Sequence, residues 1–167
     1  TSYQENIKSI FPKTDYTIVK SYELMLMTSA HNPVYSQLEF QDGCLAEQSY
    51  RLLADLPIFQ GKNDMVQKRM EEDIFPSLGI HPKWREGLID IEFMFQTMVL
   101  ENCFSILPVS RIRGGDIVQI PFLFHPKVQR LFIYPARHHL TQPERELITR
   151  VSDAYRDISY YYDVSLL

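Results

Sequence analysis

Two cysteines in 167 residues, Cys44 and Cys103, are too few for a disulfide framework and match no zinc-site spacing. Both are read as reduced thiols. None of the five histidines stands at ligand spacing with a cysteine or carboxylate on one element. His31 and His81 precede turns, His125 precedes Pro126, and His138-His139 precede a helix. No metal site and no cofactor are expected. Positive charge is not in excess. Seventeen Lys+Arg against 21 Asp+Glu give a net charge of -4 and a pI of about 5.7. A DNA-contacting domain is usually basic on one face, so these residues are not expected to touch nucleic acid themselves. No apolar run is long enough to span a bilayer, and no membrane partner is expected. Internal repeats and low-complexity segments are absent. No nucleophile, base and orienting group stand out together, so no catalytic residue is assigned and a small α/β enzyme is the weakest reading. Asp90 with Glu92 reads as a helix-start preference, Glu71-Glu72-Asp73 as a solvated helix face, and Arg111 with Arg113 as solvated loop arginines.

What is present is a globular composition, 45% hydrophobic and 13% aromatic. A chain of this length buries a core without staples and suggests one domain, or one domain made of two small lobes. No signal peptide precedes Thr1 and no initiator Met is present. The chain is expected to be a cytoplasmic fragment of a longer one.

The elements follow from hydrophobic period and punctuation. Asp15 to Thr28 reads as extended: Tyr16 and Ile18 alternate with polar neighbours. Leu24-Met25-Leu26-Met27 is then apolar on both faces, as in a central strand. Asn32-Pro33 ends it in a turn. A short helix over Leu45–Leu53 leads to a short strand at Ile58-Phe59. A helix capped at Asn63 or Asp64 carries Val66, Met70, Ile74 and Leu78 on one stripe and stops at Gly79. A strand from Pro82 to Glu86 follows, then a helix from Asp90 that buries Ile91, Met94, Phe95 and Met98. The stretch Phe104–Leu140 holds three apolar runs separated by Pro and Gly: Phe104–Leu107, Ile117–Ile120 and Val128–Tyr134. Thr141 and Glu144 form a capping box, with Pro143 in the first turn of a helix whose stripe is Leu147, Ile148, Val151, Tyr155 and Ile158. Alternating strands and helices imply an α/β fold with a mostly parallel sheet flanked by helices.

In order and spacing these pieces resemble the C-terminal effector-binding domain of LysR-type transcriptional regulators. Gly79-Ile80-His81-Pro82, the strand closing in Ile106-Leu107-Pro108, and Gly115-Asp116-Ile117-Val118-Gln119-Ile120 match the family's succession of motifs. So do Leu131-Phe132-Ile133-Tyr134-Pro135 and Arg137-His138-His139-Leu140-Thr141-Gln142-Pro143. Upstream, Glu23–Met27 with His31-Asn32-Pro33 resembles the crossover strand and its turn, and Leu53–Phe59 resembles the approach to the pocket. The chain departs from the family between Pro33 and Leu53, which matches poorly, in lacking most of the first subdomain and the DNA-binding region, and at Glu101-Asn102-Cys103, where the family has a glycine-rich turn. Only Asn102 there adopts positive φ easily.

The resemblance implies a type 2 periplasmic-binding-protein-like fold in three stretches. Residues 1–22 would be a remnant of the first lobe, 23–132 the second lobe, and 133–167 the return crossover and C-terminal helix. It further implies a small-molecule effector, a carboxylate among the candidates, that shifts oligomer geometry. Promoter DNA would be reached through a domain these residues do not contain, within a homo-oligomer. The alternative is a free-standing small-molecule binding protein of the same fold. The expected ligand-binding residues are Gln60, Gly61, Lys62 and Asn63, in a loop that opens a helix, with Thr28 and Ser29 ending the crossover strand. Cys103, in apolar company, is expected to be a buried inert thiol.

Overall fold

The computed structural model describes residues 11–54, 56–59, 72, 75–81, 83–85, 91–113, 116–156 and 160–163. The two-faced run in the first strand decides the architecture. Strand β1 (Thr14–Ser29) is 16 residues long. Successive side chains of a strand point to opposite faces. Leu24 and Leu26 accordingly enter one apolar cluster, while Met27, with Met25 packed beside it, enters a second. Strand β6 (Phe104–Pro108) repeats the alternation: Phe104 and Ile106 join the first cluster, and Leu107 joins the second. In β4 (Pro57–Phe59), Ile58 joins the first and Phe59 the second. The sheet thus has two apolar faces, each needing its own cover.

One cover is the middle helix, Ile91–Glu101, through Met94, Phe95 and Met98. The other is built from Leu38, Leu45, Tyr50, Leu53, Phe75 and Ile80. Leu45 lies in β3 (Cys44–Leu45), which pairs with β2 (Phe40–Gln41). Tyr50 and Leu53 lie on a single helical turn, Tyr50–Leu53, that follows a 3-10 turn at Glu47–Ser49. Phe75 and Ile80 flank a helix end that Gly79 closes at φ 69°. There the Ile80 N–H donates to the Phe75 carbonyl and the Gly79 N–H to that of Pro76. These two bonds are the Schellman pattern that satisfies the last carbonyls.

The chain divides into two compact units. The larger comprises Tyr22–Val128 and Ser159–Leu167. Its main sheet has the order β5-β4-β6-β1-β8, with β5 at Lys83–Arg85 and β8 at Ile117–Pro121. Both pairings of β4, with β5 and with β6, are parallel. Both pairings of β1, with β6 and with β8, are antiparallel. The sheet is therefore mixed, where the alternation of elements suggests a mostly parallel one. The other four strands share a direction, and β1 alone opposes them from a central position. Two strands fall where the sequence reads as loop and tail. Strands β7 (Ser110–Arg113) and β10 (Tyr160–Asp163) form a parallel pair, so Arg111 and Arg113 stand in a strand.

The smaller unit comprises Thr1–Ser21 and Gln129–Ile158. Here the first part of β1 pairs with β9 (Lys127–Pro135), and the last helix, Gln142–Arg156, follows. The Ala136 N–H donates to Lys13 O at 2.8 Å, and Gln129 Nε2 donates to Ser21 Oγ at 3.2 Å, so the two strands run antiparallel. No described residue of this unit is fully buried. On the helix stripe Ile148, Val151 and Tyr155 are half-buried and Leu147 is exposed, while Ile158 lies outside the described residues. The Arg130 guanidinium sits 4.7 Å over the Tyr155 ring, and Lys20 Nζ donates to the terminal Arg156 carbonyl at 2.9 Å.

The helix start is set by Glu144. It accepts the Thr141 backbone N–H at 2.7 Å and the Thr141 hydroxyl at 2.8 Å, and it stands 3.0 Å from His138 Nε2. The backbone bond first, then the hydroxyl and His138, hold its carboxyl well below its ordinary 4.5, at about 2. A lowered carboxyl pKa means stability that is present above the unfolded value and lost as pH falls through the folded one. Glu144→Gln should accordingly lower the unfolding midpoint at pH 6. That difference should shrink as pH falls from about 4.5 toward about 2, read from paired thermal melts of the two proteins.

Candidate functional site

Ligands of α/β sheets sit beyond the carboxyl ends of the parallel strands. In the larger unit β4, β5, β6 and β8 end at Phe59, Arg85, Pro108 and Pro121, but in staggered register: Phe59, with Arg85 beside it, stands next to Ser105 and so level with Met27, three residues short of Pro108. Because β1 opposes them, its middle reaches the carboxyl edge that Pro108 and Pro121 form: Leu24 stands opposite Pro108 and Met25 opposite Pro121. The chain leaves β4 at Phe59, and Gln60 is the next residue. Gln60, Gly61, Lys62 and Asn63 lie outside the described residues. The other two expected site residues follow Met27, which stands level with Phe59. Ser29 pairs with Ile117, the first residue of β8, and Thr28 with Val118, so both sit at amino ends.

Thr28 and Ser29 are fully buried, and their hydroxyls are committed. Thr28 Oγ1 donates to the Cys103 carbonyl at 2.9 Å and accepts from Asn32 Nδ2 at 2.9 Å. Ser29 Oγ accepts the His31 N–H at 3.1 Å. Asn32, itself buried, spends its whole carboxamide inside the protein. Its Nδ2 also donates to the Asn102 carbonyl at 3.1 Å, and its Oδ1 accepts the Val34 N–H at 3.0 Å. Asn102 holds φ at 51°, the left-handed geometry expected of it in a turn without glycine. This arrangement locks the end of β1 onto the turn that enters β6.

Cys103 belongs to the same turn. It is buried, and its thiol reaches the Thr97 carbonyl at 3.5 Å. Burial, with the Glu101 carboxylate adding to it, pushes the thiol up to about 12. The thiolate that would react with an oxidant is then scarce at neutral pH. Nearby, His31 Nε2 meets Asp116 Oδ2 at 2.6 Å, but both side chains are largely in water, where such pairs contribute about 0–1 kcal/mol.

At the carboxyl edge the described residues supply one pair that sequence reasoning missed. His125 Nδ1 stands 2.7 Å from Glu23 Oε1. Glu23 precedes the two-faced run of β1, and its carbonyl accepts the Val109 N–H at 2.7 Å, just after β6 ends. His125 takes a positive φ of 44° in the turn before Pro126. The only sequence signal was His125-Pro126 as a turn, and 102 residues separate the partners. Among the described residues no group of three or more metal-ligating side chains converges.

No family model matches the chain, and no curated protein sequence matches it. Solved structures do. The regulatory domain of CcmR from Synechocystis PCC6803, in complex with 2-PG, is 12% identical with a TM-score of 0.65, over 87% of this chain and 69% of that one. The C-terminal domain of a probable LysR family transcriptional regulator from Rhodococcus sp. RHA1 is 16% identical, with a TM-score of 0.64 over 84% and 68%. The BenM effector binding domain with its effector benzoate is 15% identical, with a TM-score of 0.62 over 86% and 64%. The chain spans about two thirds of the length of these domains. At such identities the likeness is one of fold: over most of its length the chain has the α/β fold of LysR effector-binding domains.

The buried lock yields a stability prediction. Asn32→Ala removes one carboxamide and strands the partners it satisfied, at a cost of about 1–3 kcal/mol or more. His31→Ala, at the water-exposed pair, should cost no more than about 1 kcal/mol. Urea unfolding midpoints compare the two directly. An Asn32→Ala midpoint equal to wild type would show that the lock contributes nothing.

Proposed function

We propose that this chain is the effector-sensing part of a LysR-type transcriptional regulator. A small molecule, of carboxylate class, binds at Gln60–Asn63 and shifts the populations of two states. The observation that carries this reading is the fold match, which includes domains solved with 2-PG and with benzoate. The position of β4 supports the site: it runs parallel to β5 and β6, and Gln60 follows Phe59 at its carboxyl end. In the proposed site Gly61 permits close backbone approach, Lys62 pairs with the carboxylate, and Asn63 offers donor and acceptor. Thr28 and Ser29, the other two residues of the proposed site, have hydroxyls already engaged inside the protein and contribute through the framework they support. An effector shifts the equilibrium only by its difference in affinity for the two states.

The regulator reading adds two partners. Promoter DNA is bound by a domain outside these residues, and the working unit is a homo-oligomer in the cytoplasm. The middle helix supports self-association. Phe93 and Leu100, one helical face apart by seven residues, are 52% and 80% exposed.

The test begins with thermal-shift titration of small carboxylates, benzoate and shikimate first. At least one should raise the unfolding temperature. Lys62→Ala and Asn63→Ala should each weaken its affinity about tenfold, near 1.4 kcal/mol, with unfolding midpoints unchanged in its absence. Wild-type affinity in both variants would remove Gln60–Asn63 from the site.

A further inference from the structure

A partly open cavity of about 660 Å3 is lined on one wall by Glu47, Gln48, Tyr50, Arg51 and Ala54, and on the other by Leu78, Gly79 and Ile80. Its volume falls in the range of small-ligand sites. Local structure explains both walls. Buried Ser49 accepts the Glu39 N–H at 2.7 Å, which fixes the 3-10 turn and aims Tyr50 and Leu53 at the core. Glu47 and Arg51 are then left on the outer face, four residues apart. The opposite wall is the Schellman turn. A Cβ built on Gly79 would meet nothing within 4 Å, so the turn's backbone is open to the cavity.

The charges are what make this cavity specific. A Glu and an Arg four apart on a helical segment ordinarily pair. Here neither forms an ion pair with the other, or with any other described residue. The Glu47 carboxylate does act on its buried neighbour: burial first, then that charge, raise the Tyr50 phenol, whose hydroxyl lies near the Leu123 N–H without completing an aligned bond. The floor between the charges is apolar. Ile80 and Tyr50 are buried, and Leu78 and Ala54 are half-buried.

We propose that this cavity binds a free α-amino acid with an apolar side chain. Arg51 takes the carboxylate, Glu47 takes the ammonium, and Ala54, Leu78 and Ile80 receive the side chain. An anion alone would leave Glu47 unanswered and repelling, and a cation alone would leave Arg51 so. A zwitterion answers both, and the apolar floor selects against small polar ones. The site is independent of Gln60–Asn63.

The test uses L-leucine and 4-methylpentanoate, which keeps the carboxylate and side chain but lacks the ammonium. Binding is measured by calorimetry and located by backbone amide shifts. Leucine should bind saturably with shifts at Ala54 and Ile80. Arg51→Gln should weaken both compounds about tenfold. Glu47→Gln should weaken leucine by a similar factor and leave 4-methylpentanoate no worse. Lys62→Ala should change neither. Both charged side chains are exposed, so unfolding midpoints should stay at the wild-type value. Absence of saturable leucine binding, equal affinity in the charge variants, or shifts centred elsewhere would overturn the proposal.

Discussion

The carboxamide of Asn32 is the one polar group on which the arrangement of the larger unit depends. It is buried and makes three hydrogen bonds: to the Thr28 hydroxyl, the Asn102 carbonyl and the Val34 N–H. A buried amide left unpaired is costly, so these partners cannot drift apart without penalty. The consequence is positional. The end of β1 is held to the turn that begins β6, and the antiparallel register Leu24–Pro108 to Met27–Ser105 is fixed from that end. Everything about which residue meets which edge of the sheet follows from that register.

That positional logic separates framework from site. The hydroxyls at Thr28 and Ser29 look available in the sequence, but that of Thr28 is held between Asn32 and the Cys103 carbonyl, and that of Ser29 accepts the His31 N–H. The carboxyl edge receives the ends of β6 and β8, together with Glu23 and His125, while β4 and β5 end level with Met27. The two apolar clusters on either face leave the sheet little freedom to slide, since a one-residue slip of β1 would exchange Leu24 and Leu26 with Met25 and Met27. The chain shares this α/β arrangement with LysR effector-binding domains.

Much of this was legible wherever a local rule governs. The run Leu24–Met27 was readable as a two-faced strand, Gly79 as a helix stop, Asn102 as the left-handed residue of a glycine-poor turn, and Thr141 with Glu144 as a helix start. Each depends on residues within a few positions of one another. What stayed hidden depends on distant pairing. Strand direction does not show in hydrophobic period, so the mixed sheet could not be read. Ser110–Arg113 carries one apolar residue and becomes a strand only by pairing with Tyr160–Asp163. The Glu144 box is also only half formed as sequence suggests, for the Thr141 hydroxyl donates to the carboxylate directly. His125 finds Glu23 across 102 residues, and no spacing rule reaches that far.

The central claim is the proposal that Gln60–Asn63, and not the Asn32 lock, recognises the ligand. The most direct measurement is a backbone amide map of the protein titrated with whichever small carboxylate stabilises it. The account predicts shifts centred on Phe59 and Gln60–Asn63, with Asn32 and Asn102 unmoved. Shifts centred on Asn32 and Asn102, with Gln60–Asn63 silent, would contradict it.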